Sequence, residues 1–389
     1  VAIHDVSAWL PEEFNGPVIQ KITQTSVIER IARKEPMTTL TRHVPRSGGM
    51  GMDIMGNGDA YTEDSSADDE VLLTARKFGR ALSLAEEDIA DTANLVNVLQ
   101  AKRLDWATAY AKTVDNACLA TTGAESVAGN IPFTSVYKRV RTSETGYTAD
   151  TNYLLAGNNL GYVTFTIATD LVTTLQPHGL AINDKVVFGT ITTTTGITAG
   201  TSYYVQAVPS TTTFKVAATA SAASAIDLAT GDGSAVTCTK KGVSYDNLSS
   251  VLSIVESGDW FDDANTVVVA HPKFKARFRG IKDTQGRPIF VAGTAGTPDT
   301  LFEYPVEWTL GARTHATADP APTGNPLLIV GSKQALILGV RSGPESFIAD
   351  GATGVGFSTD ETKLKVRARR AFNISHVNAF AVLEDDSGL

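Results

Sequence analysis

The sequence predicts an α+β chain with an all-β unit set inside it. Three stretches carry that prediction: a long helical run after Ser83, a threonine-rich island over residues 160–241, and a series of apolar strands that closes the chain. With 389 residues the chain is long enough for roughly two or three structural units. Apolar residues at 42% and charged residues at 19% are ordinary for a folded protein, while a net charge of −9 argues against a protein that coats nucleic acid by neutralising phosphates. The two cysteines, Cys118 and Cys238, lie in unrelated segments, so neither a disulfide framework nor a thiolate metal site is supported, and a reduced, cytosolic folding compartment is expected. The opening "VAIHDVSAWLPEEF" lacks a basic region followed by an apolar run, and no stretch of about 18 uncharged apolar residues occurs, so neither secretion nor a membrane span is expected.

Residues 1–34 read as an arm with one short helix, because Val18, Ile22, Val27 and Ile31 fall near helical spacing. Residues 35–80 read as a long hairpin: two β-prone limbs flank a tip rich in methionine and glycine (Gly48, Gly49, Gly51, Gly56, Gly58), which supplies backbone freedom. In residues 81–159 the main helix starts at a capping box, Ser83 with Glu86. Glu86, Glu87, Asp88 and Asp91 crowd its first turns and Lys102, Arg103 and Lys112 follow, matching the helix dipole. Apolar Ile89, Val96, Leu99, Trp106, Tyr110 and Val114 recur near helical spacing, and no Gly or Pro interrupts before Gly123, which predicts a strut of about 55 Å.

The island is chemically distinct. From Leu160 to Cys238 it holds eighteen Thr, four Asp and two Lys but no Glu or Arg, a composition that favours strands. Runs such as "VTFTIA", "DKVVFGTI", "SYYVQAV" and "TFKVAA", separated by turn residues, predict an Ig-like or small sandwich, or a barrel, forming a unit of its own. In residues 242–389 helical periodicity returns in "SYDNLSSVLSIVESG", then come the strand "TVVVA", the basic helix "PKFKARFRGIKD", and the strands "LLIVGS", "ALILGV", "KLKVRARRAF" and "AFAVLED". In "KLKVRARRAF", Leu364, Val366 and Ala368 face one way and Lys363, Lys365, Arg367 and Arg369 the other. That alternation fits an intersubunit basic stripe and equally a half-buried strand with a solvated face.

No phosphate loop, Gly-x-Ser-x-Gly elbow, His-Glu-x-x-His pair or calcium loop is present, which weighs against the common enzyme classes. The histidines at 4, 43, 178, 271, 315 and 376 are scattered and read as ordinary residues, not metal ligands. The acidic run "EDSSADDE" lacks the glycine and terminal Glu of a calcium loop and reads as a solvated or partner-facing charge run. No catalytic residue, cofactor or metal is expected.

The order of parts resembles the tailed-bacteriophage major capsid proteins of the Hong Kong 97 type, with their N-terminal arm, E-loop hairpin, peripheral domain with spine helix, and axial domain. "AEEDIADTANLVNVLQAKRLDWATAYAKTVDNACLATTG", with early acids and a late Asp before small residues, resembles the spine helix. "VVVAHPKFKARFRGIKDTQGRPIF" resembles the axial strand, helix and Lys-Asp-x-x-Gly-Arg turn, "LFEYPVEW" the element after it, and "KLKVRARRAFNISHVNAFAVL" the closing strands, which return to the peripheral domain. Within that layout the island is an inserted β domain that projects outward, since surface loops tolerate insertions.

The resemblance implies a homo-oligomer of hexamers and pentamers closing into an icosahedral virion shell in the host cytoplasm. The shell would enclose double-stranded DNA without sequence-specific binding and touch no membrane. Scaffolding protein, a portal and a decoration protein are the implied partners, and a chain starting at Val1 implies a scaffold that is either cleaved off or a separate chain. Candidate intersubunit contacts are Met50, Met52, Met55, Asp59, Glu63, Asp64, Asp68, Asp69 and Glu70 on the hairpin, received by a basic surface such as Lys273, Lys275, Arg277 and Arg279. Some members of the family weld subunits through a Lys on the E-loop and an Asn on a neighbour. Here Lys77 is the only Lys between Glu35 and Arg80 and sits at the hairpin base, so a noncovalent shell is expected. Two other readings remain: a bacterial nanocompartment shell of the same fold, and a carbohydrate-binding surface protein using Tyr203, Tyr204 and Phe214 of the island as a sugar platform. A packed β core explains those aromatics more simply.

Overall fold

The run Thr266–Ala270 (β12) is apolar after its first residue because both faces of the strand are covered; all five residues are buried. A computed structural model describes residues 25–46, 52–58, 60–61, 63, 68–85, 87, 98–191, 194, 196–229, 236–281, 299–349 and 360–388. In it β12 lies inside a six-stranded sheet. Tyr304–Trp308 (β14) runs parallel to it on one side and Leu327–Ser332 (β15) antiparallel on the other. Thr300–Leu301 (β13) forms one edge; Phe380–Glu384 (β18) and the parallel edge strand Tyr153–Leu155 (β5) complete the other side. Val268, Ala270, Leu328, Val330, Ala381 and Leu383 meet the helices Tyr245–Glu256 (α4) and Lys273–Gly280 (α5) through Leu248, Val251, Leu252, Val255, Phe274 and Phe278. The intervening residues Val267, Val269, Ile329 and Val382 enter a second core on the opposite face. Sheets buried on both sides read as continuous apolar runs, which is why "LLIV" and "FAVL" lack alternation. Gly331 is required where β15 passes β18, since a Cβ there would stand 2.2 Å from Cδ1 of Phe380.

The second core belongs to the helix Val98–Leu119 (α2). Its Tyr110, Val114, Ala117 and Cys118 fall on one stripe and pack with Val27 and Ile28 of the short helix Val27–Ile31 (α1) and with Val136, Tyr137 and Val140 of the helix Val136–Val140 (α3). The same core takes Leu336, Leu338, Ala368, Phe372 and Ile374 from a four-stranded sheet. Its strands run in the order Arg33–Pro36 (β1), Leu336–Ala349 (β16), Glu361–Ile374 (β17) and Arg76–Ala85 (β4). Along β17 the alternation is as the sequence indicates, with Leu364, Val366 and Ala368 buried. A hairpin, Thr41–Arg46 (β2) paired antiparallel with Asp69–Thr74 (β3), packs its Val44, Val71 and Leu73 on Ile337 and Ala371.

The threonine-rich island closes into a barrel. Its strands are Gly157–Thr166 (β6), Leu171–Thr174 (β7), Lys185–Phe188 (β8), Ser202–Ala207 (β9), Thr213–Ala217 (β10) and Val236–Lys241 (β11), in the order β10-β7-β6-β11-β8-β9. The Ig-like or sandwich alternative is therefore not the one formed: closure pairs the outermost strands with each other and removes the free edges a sandwich would leave. Val163, Phe165, Val172, Val186, Phe188, Tyr203, Val205, Phe214, Val216 and Cys238 fill the interior. Tyr203 and Phe214 are thus core residues and offer no sugar platform. Gly157 pairs with Lys241, three residues outside the expected start, so the chain enters and leaves the barrel at neighbouring positions.

The expected helix start fails. Ser83 is no N-cap: it lies in β4, paired with Lys363, and the strand continues through Ala85 opposite Glu361. Pairing along β17 overrides the local capping pattern, although Arg80 interrupts the apolar alternation of Phe78, Leu82 and Leu84 and of these only Phe78 and Leu84 are half-buried. Glu87 is helical, while Glu86 and residues 88–97 lie outside the described residues, so the continuous helix described is α2, about 33 Å long. Residues 1–24, with Val18 and Ile22, and the Lys-Asp-x-x-Gly-Arg turn at 282–287 also lie outside them. Among the described residues no helix is long and apolar enough to cross a membrane.

Candidate assembly surfaces

The arm is tied down by one buried carboxylate. Asp115 on α2 faces the start of α1 and accepts from Ser26 Oγ at 2.6 Å, Val27 N–H at 3.0 Å, Ile28 N–H at 3.1 Å and Thr309 Oγ1 at 2.6 Å. Two of these donors are first-turn amides that have no partner within the helix, so Asp115 caps α1 from another part of the chain. Burial raises its carboxyl above the usual range, against the pull of these four hydrogen bonds. A second tie follows within the same turn, where Glu29 accepts from Tyr110 Oη at 2.7 Å and from Nε of Arg370 on β17 at 2.7 Å. Burial and the Glu29 charge push the Tyr110 hydroxyl far up, which keeps it a donor.

The hairpin root is also clamped. Arg46 pairs with Asp69 across the two limbs and donates to the Ser375 carbonyl, while Asn373 Nδ2 donates to the Leu72 carbonyl at 3.0 Å. The Arg46 hydrogen bond holds the Asp69 carboxyl below the usual range. Beside this clamp His376 stacks on Trp260 with ring centroids 3.6 Å apart, and burial followed by the Arg46 charge keeps it below the ordinary histidine range, which suits a neutral stacked ring. Glu70 pairs with His43 at 2.6 Å.

Beyond the root the described hairpin side chains are mostly exposed. Met52 is 92%, Ile54 98% and Tyr61 90% exposed, with Glu63 and Asp68 also exposed; Met55 is half-buried. Met50, Asp59 and Asp64 lie outside the described residues. Ile54 and Tyr61 escape the sequence reading, although apolar side chains inside a stretch of Gly, Asn and Asp are a signal for a contact surface.

On α5, Lys275 pairs with Asp299 at 3.1 Å and lies over the Trp308 ring at 4.6 Å, and Arg277 pairs with Asp385 at 2.8 Å. The charges of Lys275 and Arg277 are therefore engaged within the chain, and Lys273, Lys275 and Arg279 are all exposed. Among the described residues no group of three or more His, Cys, Asp or Glu is placed to hold a metal. Both cysteines are free and buried, in separate cores.

The profile of the phage capsid family matches residues 167–385. No curated protein matches the chain. Among solved structures, the chain is similar to that of Mycobacterium phage Ogopogo, with a TM-score of 0.56 and 14% identity over 99% of this chain and 100% of that one. It is similar to the capsid of a native GTA particle, with a TM-score of 0.58 and 14% identity over 97% of each chain. It is also similar to the chain of Mycobacterium phage Bobi, with a TM-score of 0.58 and 12% identity over 98% of this chain and 97% of that one. At such identities the likeness is one of fold.

Proposed function

The chain belongs to the phage capsid family and is a major capsid protein, a non-enzymatic part of the virion head with the mixed α+β fold of Hong Kong 97-type capsids; from that premise we propose that it assembles as hexamers and pentamers into an icosahedral shell around double-stranded DNA. The observation that carries the assembly geometry is the hairpin: its root is clamped to the body while Met52, Ile54 and Tyr61 stand in solvent, an arrangement that gains free energy only when another subunit covers them. Met52 and Met55 supply adaptable apolar contact, and the exposed acid Glu63 helps orient the hairpin on a basic surface of a neighbour. Exposed ion pairs contribute about 0–1 kcal/mol each, so buried apolar area supplies most of the cohesion. A chain of net charge −9 does not adhere to the DNA it encloses. The barrel, whose two ends meet at Gly157 and Lys241, reads as an inserted unit projecting from the shell. Scaffolding protein, portal and decoration protein complete the proposed particle.

Electron microscopy of purified particles, with recovery of nuclease-protected nucleic acid, tests this reading. Closed shells that protect DNA are expected; a chain that stays monomeric under all assembly conditions sinks it, and shells filled with protein cargo favour the nanocompartment instead.

The shell is expected to be noncovalent. Lys77 is exposed, but it lies in β4, within the four-stranded sheet and away from the hairpin tip. Boiled in detergent, mature particles should release a single band near 41.1 kDa. A ladder that survives detergent and reductant would show a cross-link and identify the lysine involved.

A further inference from the structure

The outermost strand of an open sheet carries outward N–H and C=O groups that no neighbour takes, and such an edge pairs readily with another chain unless it is short, charged, bulged or interrupted by proline. Most edges here are protected in one of those ways. The six-stranded sheet ends on the two-residue β13 and the three-residue β5, and the barrel has no edge. The four-residue β1 carries Arg33, Lys34 and Pro36; the hairpin limbs carry Arg42, Pro45 and Arg46 on β2 and Asp69 and Glu70 on β3. β4 differs. It forms the other edge of the four-stranded sheet over ten residues, pairs with β17 throughout without a register shift, and among the described residues makes no other backbone hydrogen bond. Its cations Arg76, Lys77 and Arg80 lie in the first half, while residues 81–85 contain neither charge nor proline. Residues 79–83 and Ala85 are exposed, Leu82 at 36%, and Leu84 is half-buried. Water can solvate such an edge, so its amides alone demand no partner. Its length and its unprotected second half are what set it apart.

We propose that two copies of this chain join β4 to β4 as an antiparallel pair about a two-fold axis at Leu82, which merges their four-stranded sheets into one. The proposal rests on the shell reading above and names one of its subunit contacts. A two-fold contact must be self-complementary, because the same patch stands on both sides. With Leu82 opposite Leu82 of the second copy, Ala81 meets Ser83, Arg80 meets Leu84 and Gly79 meets Ala85, so no like charges stand opposite each other. The pairing then stays within residues 79–85, lays the exposed Leu82 on its own copy and sets Leu84 along the Arg80 stem. A parallel pair in register would instead oppose Arg76, Lys77 and Arg80 to themselves. The β17 cations of the two copies end up three strand spacings apart, about 14 Å, beyond the screening length of about 8 Å at physiological salt. Nucleic acid would engage Arg76 and Lys77 and leave Leu82 and the unprotected amides in water.

The test places a cysteine on the axis in the full chain. Cys118 and Cys238 are buried, so Leu82→Cys adds the accessible thiol. Directly opposed residues of paired strands lie within disulfide reach, so Leu82→Cys particles after mild oxidation should yield, without reductant, a dimer of twice the 41.1 kDa chain mass. Lys34→Cys, on the protected β1 edge, should stay monomeric. Leu82→Lys sets like charges against each other on the axis and should raise the threshold concentration for shell formation, followed by light scattering, at least about tenfold. Circular dichroism and thermal unfolding of the unassembled variants check that the fold is kept. The pairing is overturned if Leu82→Cys remains monomeric in closed, oxidised shells, or if Leu82→Lys keeps its fold and assembles at the original threshold. A reductant-sensitive band of another mass would assign the edge to a different protein's strand and overturn it too. If the unaltered chain forms no shells, the shell reading falls, while a Leu82→Cys dimer in solution, absent for Lys34→Cys, still decides the pairing.

Discussion

Asp115→Ala is expected to destabilise the unassembled chain by about 2–5 kcal/mol and to free the arm from the body. The carboxylate is buried and accepts from two backbone amides and two hydroxyls. After truncation the two hydroxyls can rotate their hydrogens toward another acceptor, and each keeps a bond it accepts, Ser26 Oγ from Glu29 N–H and Thr309 Oγ1 from Gly311 N–H. The Val27 and Ile28 amides cannot turn, and each buried donor left without a partner costs about 1–3 kcal/mol. Relief of a buried charge offsets part of this, since burial already opposes the ionised form. Asp115→Asn separates the two contributions. It removes the charge and keeps the shape, but its NH2 must face either the Val27 or the Ile28 amide, so an intermediate loss is expected. Denaturant unfolding gives the magnitudes, and hydrogen exchange at residues 27–31 reports whether α1 has detached. A loss under about 0.5 kcal/mol for alanine, with unchanged exchange, would show that the arm is held by Val27, Ile28 and the Glu29–Arg370 pair instead.

Much of this architecture is legible in the sequence, for reasons that differ by segment. The alternation in β17 and the continuous apolar run of β12 report one-sided and two-sided burial directly, because burial acts residue by residue. Barrel closure was one of several ways to pair six threonine-rich strands, since strand composition says nothing about which edges meet. Ser83 and Glu86 form a valid local capping pattern, and only the length of β17, far away in sequence, makes Ser83 a strand residue. On the assembly surfaces, the acids and methionines of the hairpin stand out by composition. The engagement of Lys275 by Asp299 and of Arg277 by Asp385 does not, because those partners come from 24 and 108 residues away. Asp115 is visible only as a late acid in a helix; its four donors come from two segments, 26–28 and Thr309, that meet it solely in the fold.

Phe188→Ala should unfold the barrel while leaving the rest of the chain and its assembly intact. Phe188 is fully buried between Phe165 and Tyr203, with ring centroids 5.4 and 6.1 Å away, and truncating such a residue costs about 3–5 kcal/mol. Among the described residues the barrel core shares no member with the cores around α2 or under α4, so the loss should stay within the barrel. What joins them is polar and peripheral: the β6–β11 pair at Gly157 and Lys241, with Lys241 bound to Asp386 and Gly157 held by Asn247. A small barrel has little stability to lose, so a cost of that size should leave it largely unfolded at 37 °C, with protease cuts confined to residues 157–241. Shells should still form, and a chain joined directly from Ala156 to Gly242 should behave the same way. A single cooperative transition shifted as a whole, or loss of all soluble assembly in both variants, would show that the barrel is part of the structural lattice and not an appendage to it.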